Sequence, residues 1–411
     1  MDAREHARSD VRGPTLRDSA GISIVLNSEV GSWQAGQALQ LATRPVLDIG
    51  SASADSGTPL YKVASAARLS DGRIVVANGG TSEVFLFSPQ GRLVGRAGGT
   101  GGGPREFRPN LGFGIKLARA HGDTVLAYSY GAGEVLVFAP TGAFARSIVL
   151  RANKSDERFD RASGAGWLQD GSLLATAESY APAPESPPHG VIRPDVALLR
   201  FDSDGALVDT LGHFSGNERY TAYAREASTI TLQSLAAPFG RGFRAVARDS
   251  MVAVGVTDAY EMRLYGPDGR LQRLVRGPYV PSPVDRAARE SWLAARLEGV
   301  RDARMRRDVA STYESLQFPS TMPAFAELAL DAAGRLWVEP YYAPGGAAEA
   351  ALWRVYDSAG TFLGTVSLPH GLKPLDIGAD YLLGLTRDSL DVEHVQLYPL
   401  NVRAKGPKNS P

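Results

Sequence analysis

The stretch AARLSDGRIVVANGGTSEVFLFSPQGRLVGRAG, residues 66–98, decides how the rest of the chain is read. Four apolar runs, at 66–69, 74–77, 83–87 and 93–96, are separated by turn residues. Asp71-Gly72 and Ser88-Pro-Gln-Gly91 each end in glycine, which reaches the positive φ of a tight hairpin turn without steric cost. β-branched and aromatic residues dominate the runs, as strands on a half-buried pleat require. The stretch therefore reads as four antiparallel strands joined by two hairpins and one longer loop.

Both turns recur along the 411 residues. The first has copies at Gly122-Asp123, Asp170-Gly171, Asp249-Ser250, Ala333-Gly334 and 378–380. The second has copies at Phe138-Ala-Pro-Thr-Gly142, Phe201-Asp-Ser-Asp-Gly205, Tyr265-Gly-Pro-Asp-Gly269 and Tyr356-Asp-Ser-Ala-Gly360. Gly72 lies 19 residues before Gly91, and Gly122 and Asp249 lie 20 before Gly142 and Gly269. Such a repeat predicts an all-β chain, a six-bladed β-propeller with four-stranded antiparallel blades. The sixth copy offers three strands, near 373–377, 381–385 and 394–398. An N-terminal strand is expected to close that last blade, from 38–42 in preference to 22–26, since an open ring leaves an unpaired edge. The expected organisation is a flexible N-terminal segment at 1–19, a single propeller at 20–403 and a flexible tail at 404–411.

The insertions at 98–109, 151–165, 180–194, 211–243, 277–325 and 341–350 all fall in the connections that emerge on one face of such a disc. The recurring tight turns occupy the other. Binding residues concentrate on loops held by a rigid scaffold, so the site is expected on the loop-rich face and its axial mouth. Within the insertion at about 278–326, Ser282-Pro-Val-Asp285 followed by Leu293, Leu297 and Val300 predicts one helix over about 283–313. Its arginines alternate with acids, the pattern of a solvated face.

Forty-four basic residues balance 44 acidic ones, so no nucleic-acid partner is expected. The chain has no cysteine, which removes disulfides and thiolate chemistry. No apolar run approaches the roughly 20 residues of a spanning helix, and no transmembrane segment or signal peptide is expected in the sequence. The motifs of zincins, nucleophile elbows and phosphate loops are absent, and the six histidines are scattered. No catalytic residue, metal ligand or cofactor is assigned. The polar candidates for binding on the loop-rich face are Arg105, Glu106, Asp156, Glu157, Asp160, Glu218, Arg219, Tyr220, Tyr223, Glu339, Tyr341 and Tyr342. Aromatic rings beside carboxylates and guanidinium groups suit recognition of a protein, peptide or glycan.

Gly101-Gly-Gly-Pro-Arg-Glu-Phe107-Arg-Pro109 resembles the junction of NHL-type repeats, with Arg105 where that pattern has a glycine. Together with Arg17-Asp-Ser-Ala-Gly-Ile-Ser-Ile-Val25 and Gly334-Arg-Leu-Trp-Val338, it makes the chain similar to bacterial six-bladed propellers of the NHL/TolB-like class. That resemblance implies an exported, lipoprotein-like protein of the periplasm or cell surface and transfers no catalytic residue. The expected function is noncatalytic binding in the cell envelope by a monomer. The alternative is a hydrolase, lactonase or lyase with calcium or another divalent metal in the axial tunnel.

Overall fold

A computed structural model of the chain describes residues 13–34, 37–50, 59–103, 105–107, 114–129, 133–151, 162–179, 190–226, 229–298, 300–314, 316–344 and 350–402. The stretch that opens the sequence argument folds as expected. Val63–Arg68, Ile74–Asn78, Glu83–Phe87 and Leu93–Gly98 pair in order, every pair antiparallel. The second unit is Ile115–Arg119, Val125–Ser129, Glu134–Phe138 and Phe144–Val149. The third is Ala162–Trp167, Leu173–Glu178, Asp195–Phe201 and Leu207–Ser215. Phe243–Arg248, Met251–Val256, Glu261–Tyr265 and Leu271–Arg276 form the fourth, and a single parallel bridge from Gly166 to Ala247 joins it to the third. The fifth comprises Leu328–Leu330, Leu336–Val338, Ala350–Tyr356 and Phe362–Pro369. Lys373–Ile377, Tyr381–Arg387 and Glu393–Val402 begin the sixth.

The turn chemistry explains the regularity. Gly91, Gly142, Gly205, Gly269 and Gly360 all hold φ between +77° and +84°, where a side chain would be strained. The aromatic residue opening each of these turns, Phe87, Phe138, Phe201, Tyr265 or Tyr356, is buried to 5% exposure or less. Burying each is worth about 2–3 kcal/mol.

The core lies between units. Successive residues of a strand point to opposite faces, so Val75 and Ala77 pack against the second unit while Ile74 and Val76 pack against the sixth. Apolar clusters of this kind join each unit to the next, and one joins the sixth back to the first through Leu383, Val395, Phe85 and Phe87. The innermost strands likewise lie side by side in chain order, with Lys373–Ile377 against Val63–Arg68. Four-stranded antiparallel sheets with wedge-shaped cores and inner strands in cyclic order are the organisation of a β-propeller.

The sixth unit takes its outer strand from the N-terminal region. Leu39–Leu41 pairs antiparallel with Leu400–Val402, the preferred expectation, and Leu47–Ile49 pairs further along the same strand. Ile22–Leu26 has a different role: it lies parallel to Leu271–Arg276 on the edge of the fourth unit and carries Thr15–Ser19 outside it. Asn27 then ties the fourth unit to the fifth, donating to the carbonyls of Arg276 and Gly360 and accepting from the Phe362 N–H at 2.7 Å.

The expectation of one inserted helix is corrected. Arg286–Leu297 and Ala303–Glu314 are two helices. Glu298 leaves helical geometry at ψ 131°, and Asp302 caps a new start by accepting from the Met305 N–H. The first helix begins at Asp285, whose carboxylate accepts from the Ala288 N–H, rather than at Pro283. Beside the helices lies a three-stranded sheet of Gly190–Ile192, Arg219–Glu226 and Thr229–Ala236. Phe239, Val284, Trp292 and Leu316 form a small separate core there.

Candidate functional site

Each inner strand enters at the face that carries the insertions and ends at a tight turn. The residues at the two ends of these strands therefore line the two ends of the axis. At the tight-turn end, Arg248 of the fourth unit reaches the sixth, donating to the Asp376 carboxylate at 3.0 Å and to the carbonyls of Ile377 and Leu330. Asp376 also accepts from the Tyr381 hydroxyl at 2.7 Å and the Arg68 N–H at 3.0 Å. Arg119 donates to the Arg68 carbonyl, and the Arg68 guanidinium lies over the Tyr381 ring. Burial opposes the charge of Arg248, but Asp376 outweighs it and holds the guanidinium firmly protonated. Burial, reinforced by Asp376, pushes the Tyr381 hydroxyl well up. This end is a tied network joining five units.

The opposite end is a mouth. A cavity of about 520 Å³ opens there, lined by Lys62, Gly114, His370, Lys373, Arg387 and Glu393 among others. Gly114 is glycine because a Cβ would lie 2.3 Å from that of Ala64, so closely do the first two inner strands approach. Lys62 holds φ +54°, a left-handed conformation uncommon for a residue with a side chain. It persists because the Lys62 carbonyl accepts from the Gly79 N–H and the Tyr61 N–H donates to Asn78. Strain of this kind collects at sites where the surrounding structure fixes it.

The first positions of the inner strands carry the mouth's charges. Lys62 precedes Val63–Arg68, Lys116 is second in Ile115–Arg119, and Arg244 is second in Phe243–Arg248. Glu327 precedes Leu328–Leu330, and Lys373 opens Lys373–Ile377. Some of these charges are paired. Arg244 meets Glu327 at 3.0 Å. Glu393, buried, accepts from the Val63 N–H at 2.7 Å and from Arg387 at 2.8 Å. Among the described residues, Lys62, Lys116 and Lys373 have no carboxylate within ion-pair distance. Lys62 has the face of Tyr61 at 5.3 Å, and Lys116 donates only to the Ala165 carbonyl at 3.2 Å. Lys116 is open to water yet ringed by protein; burial pushes its ammonium below the ordinary lysine range, and Glu327 only partly opposes this. Burial and the neighbouring Glu327 push the Glu339 carboxyl up to about 7, against the pull of Lys373 and Arg244.

Of the residues singled out from sequence, Glu339 is the one brought to this mouth. Glu218 is buried and accepts from the Arg241 backbone N–H and guanidinium, within a network that includes Arg193 and Asp258. Arg219 pairs with Glu178. Tyr220 and Tyr341 pack in the apolar cluster with Trp292, and burial pushes the Tyr341 hydroxyl up to about 12. The Tyr342 hydroxyl accepts from the Leu352 N–H. Glu106 accepts from the Gly103 N–H, and Arg105 lies over the Phe144 ring. Asp156, Glu157 and Asp160 lie outside the described residues, as does the side chain of Tyr223.

The three lysines escaped the sequence reading, although a signal was there. The chain has 38 arginines and only six lysines, and every described lysine stands at this mouth. Among the described residues no three His, Asp or Glu side chains gather as a metal-ligand set, and no helix is long and apolar enough to cross a membrane.

No protein-family model matches the sequence, and no curated protein does either. Solved structures resemble it at low identity. A member of the DUF4221 family from Bacteroides vulgatus is 10% identical, over 90% of this chain and 99% of that one, with a TM-score of 0.48. An inferred exported protein of Bacteroides fragilis is 12% identical, over 92% and 99%, with a TM-score of 0.45. A gluconolactonase from Xanthomonas campestris is 14% identical, over 90% and 99%, with a TM-score of 0.38. At such scores these likenesses carry no functional weight.

Proposed function

We propose that the chain is a six-bladed β-propeller of the NHL/TolB-like class that binds a ligand through its loop-bearing face, without catalysis. The domain runs over about 20–403, and the ligand is a protein, peptide or glycan of the bacterial cell envelope. The observation that carries this reading is the position of the 520 Å³ cavity: it opens at the axial mouth on the side where the insertions and their added sheet and helices lie. Pockets of roughly 300–1,000 Å³ are the usual size for specific small ligands or for one anchoring group of a larger one. An exported location and a monomeric state belong to the same reading, the location resting on the family resemblance alone.

Hydrogen–deuterium exchange with fractionated envelope extract tests it. Protection is expected at 59–65, 114–117 and 370–374, where the mouth is built. Protection confined to the tight turns at Gly72, Gly171 and Gly334 would contradict it.

A catalytic reading is favoured by one feature, Glu339. A carboxyl titrating near neutrality suits general acid–base transfer. Turnover of an ester or lactone panel that disappears in Glu339→Gln would establish it in place of simple binding.

A further inference from the structure

We infer that Lys62, Lys116 and Lys373 form the receptor for a small organic polyanion, seated at the loop-side mouth of the axis. The inference rests on the loop-face reading above and names the chemistry of the ligand.

Three independent observations lead to it. The first is charge accounting. Among the described residues of the mouth, Arg244 is matched by Glu327 and Arg387 by Glu393, which leaves three ammonium groups against Glu339, a carboxyl raised to about 7. Like charges gathered in a partly desolvated cavity repel one another, and the cost is recovered when an anion enters.

The second is composition. This chain uses arginine for basic positions about six times out of seven, by the count of 38 arginines to six lysines. Its ion pairs are correspondingly arginine pairs, as at Arg248, Arg241 and Arg335. Lysine differs from arginine in being a compact point charge with three freely rotating donors. Two such donors lining one cavity, Lys62 and Lys373, with Lys116 on the neighbouring inner strand, suit the rounded oxygen shell of a carboxylate cluster or a phosphate rather than a planar bidentate partner.

The third is placement. The three lysines stand at the entry of the inner strands of the sixth, first and second units, which are consecutive around the axis. Lys62 and Lys373 line the same cavity, and Gly114, two residues before Lys116, lines it too. Lys62 is held there by a left-handed backbone that its neighbours fix. His370 adds a fourth nitrogen group on the same wall.

The test uses the full chain with citrate as the carboxylate probe, pyrophosphate as the phosphate probe and sodium chloride at matched ionic strength as the reference. Calorimetric binding and a raised melting temperature are expected with at least one of the two anions. Lys62→Met and Lys373→Met should each weaken binding about tenfold, and the double variant should abolish it. Lysine acetylation read by mass spectrometry needs no variant: the anion should protect Lys62, Lys116 and Lys373 relative to chloride at the same ionic strength. Equal acetylation of the three mouth lysines with and without anion would overturn the inference, as would melting shifts no larger than those in chloride. If that failure occurs while exchange protection still maps to the mouth, the loop-face reading survives and only the polyanion is lost. Citrate without pyrophosphate marks a carboxylate ligand, and the reverse marks a phosphate.

Discussion

The two ends of the axis are built from the same six inner strands, yet they are finished in opposite ways. At the tight-turn end the groups are tied together: Asp376 serves Arg248, Tyr381 and the Arg68 backbone at once. At the loop end, Lys62, Lys116 and Lys373 are left without a carboxylate partner among the described residues, around a cavity. A buried polar network tied together around one carboxylate serves the fold, whereas one short of counter-charge among the described residues is poised for something from outside. The difference separates a structural core from a binding site without any catalytic motif.

The comparison breaks most visibly at the tight-turn end. Asp376→Ala strands the Arg248 guanidinium and should cost about 3–4 kcal/mol of unfolding free energy in urea titration. A loss below about 1 kcal/mol would mean the network is dispensable.

Glu339→Gln has the next largest effect and carries a pH signature. Burial raises the folded pKa of Glu339 to about 7 from the ordinary glutamate value of 4.5, so the native state holds its proton more tightly than the unfolded chain does. Its contribution to stability is complete below about pH 4.5 and is lost as pH rises through 7. Glutamine cannot ionise, so the variant should match the wild type near pH 5 and exceed it by about 1–2 kcal/mol near pH 8. Parallel melting curves at both pH values would contradict this.

The smallest effect belongs to the unmatched end. Lys373→Met should leave stability within about 0.5 kcal/mol of wild type in anion-free buffer, because no described ion pair is lost. A loss comparable to that of Asp376→Ala would erase the distinction between the two ends.

Much of the fold was legible because it depends on local chemistry. A tight turn needs positive φ, glycine supplies it, and the five glycines from Gly91 to Gly360 stand in sequence where they stand in space. Leu39–Leu41 could be matched to the open sixth unit because a missing strand leaves an edge to fill. The parallel addition of Ile22–Leu26 to the fourth unit was not legible, since that sheet already had four strands. The site was harder still. Tyr220 and Tyr341 are binding candidates by sequence because they lie in insertions, but those insertions bury a core of their own around Trp292. The mouth lysines are separated by up to 311 positions and become neighbours only when the ring closes. The excess of arginine over lysine was the one clue available beforehand.

The contrast between the two ends can be observed directly in a crystal soaked with selenate, a dianion visible by anomalous scattering. Density is predicted between Lys62, Lys116 and Lys373 and nowhere near Arg248 or Arg119. Selenate bound at the tight-turn arginines, with the mouth empty, would contradict the assignment of the loop end as the receptor.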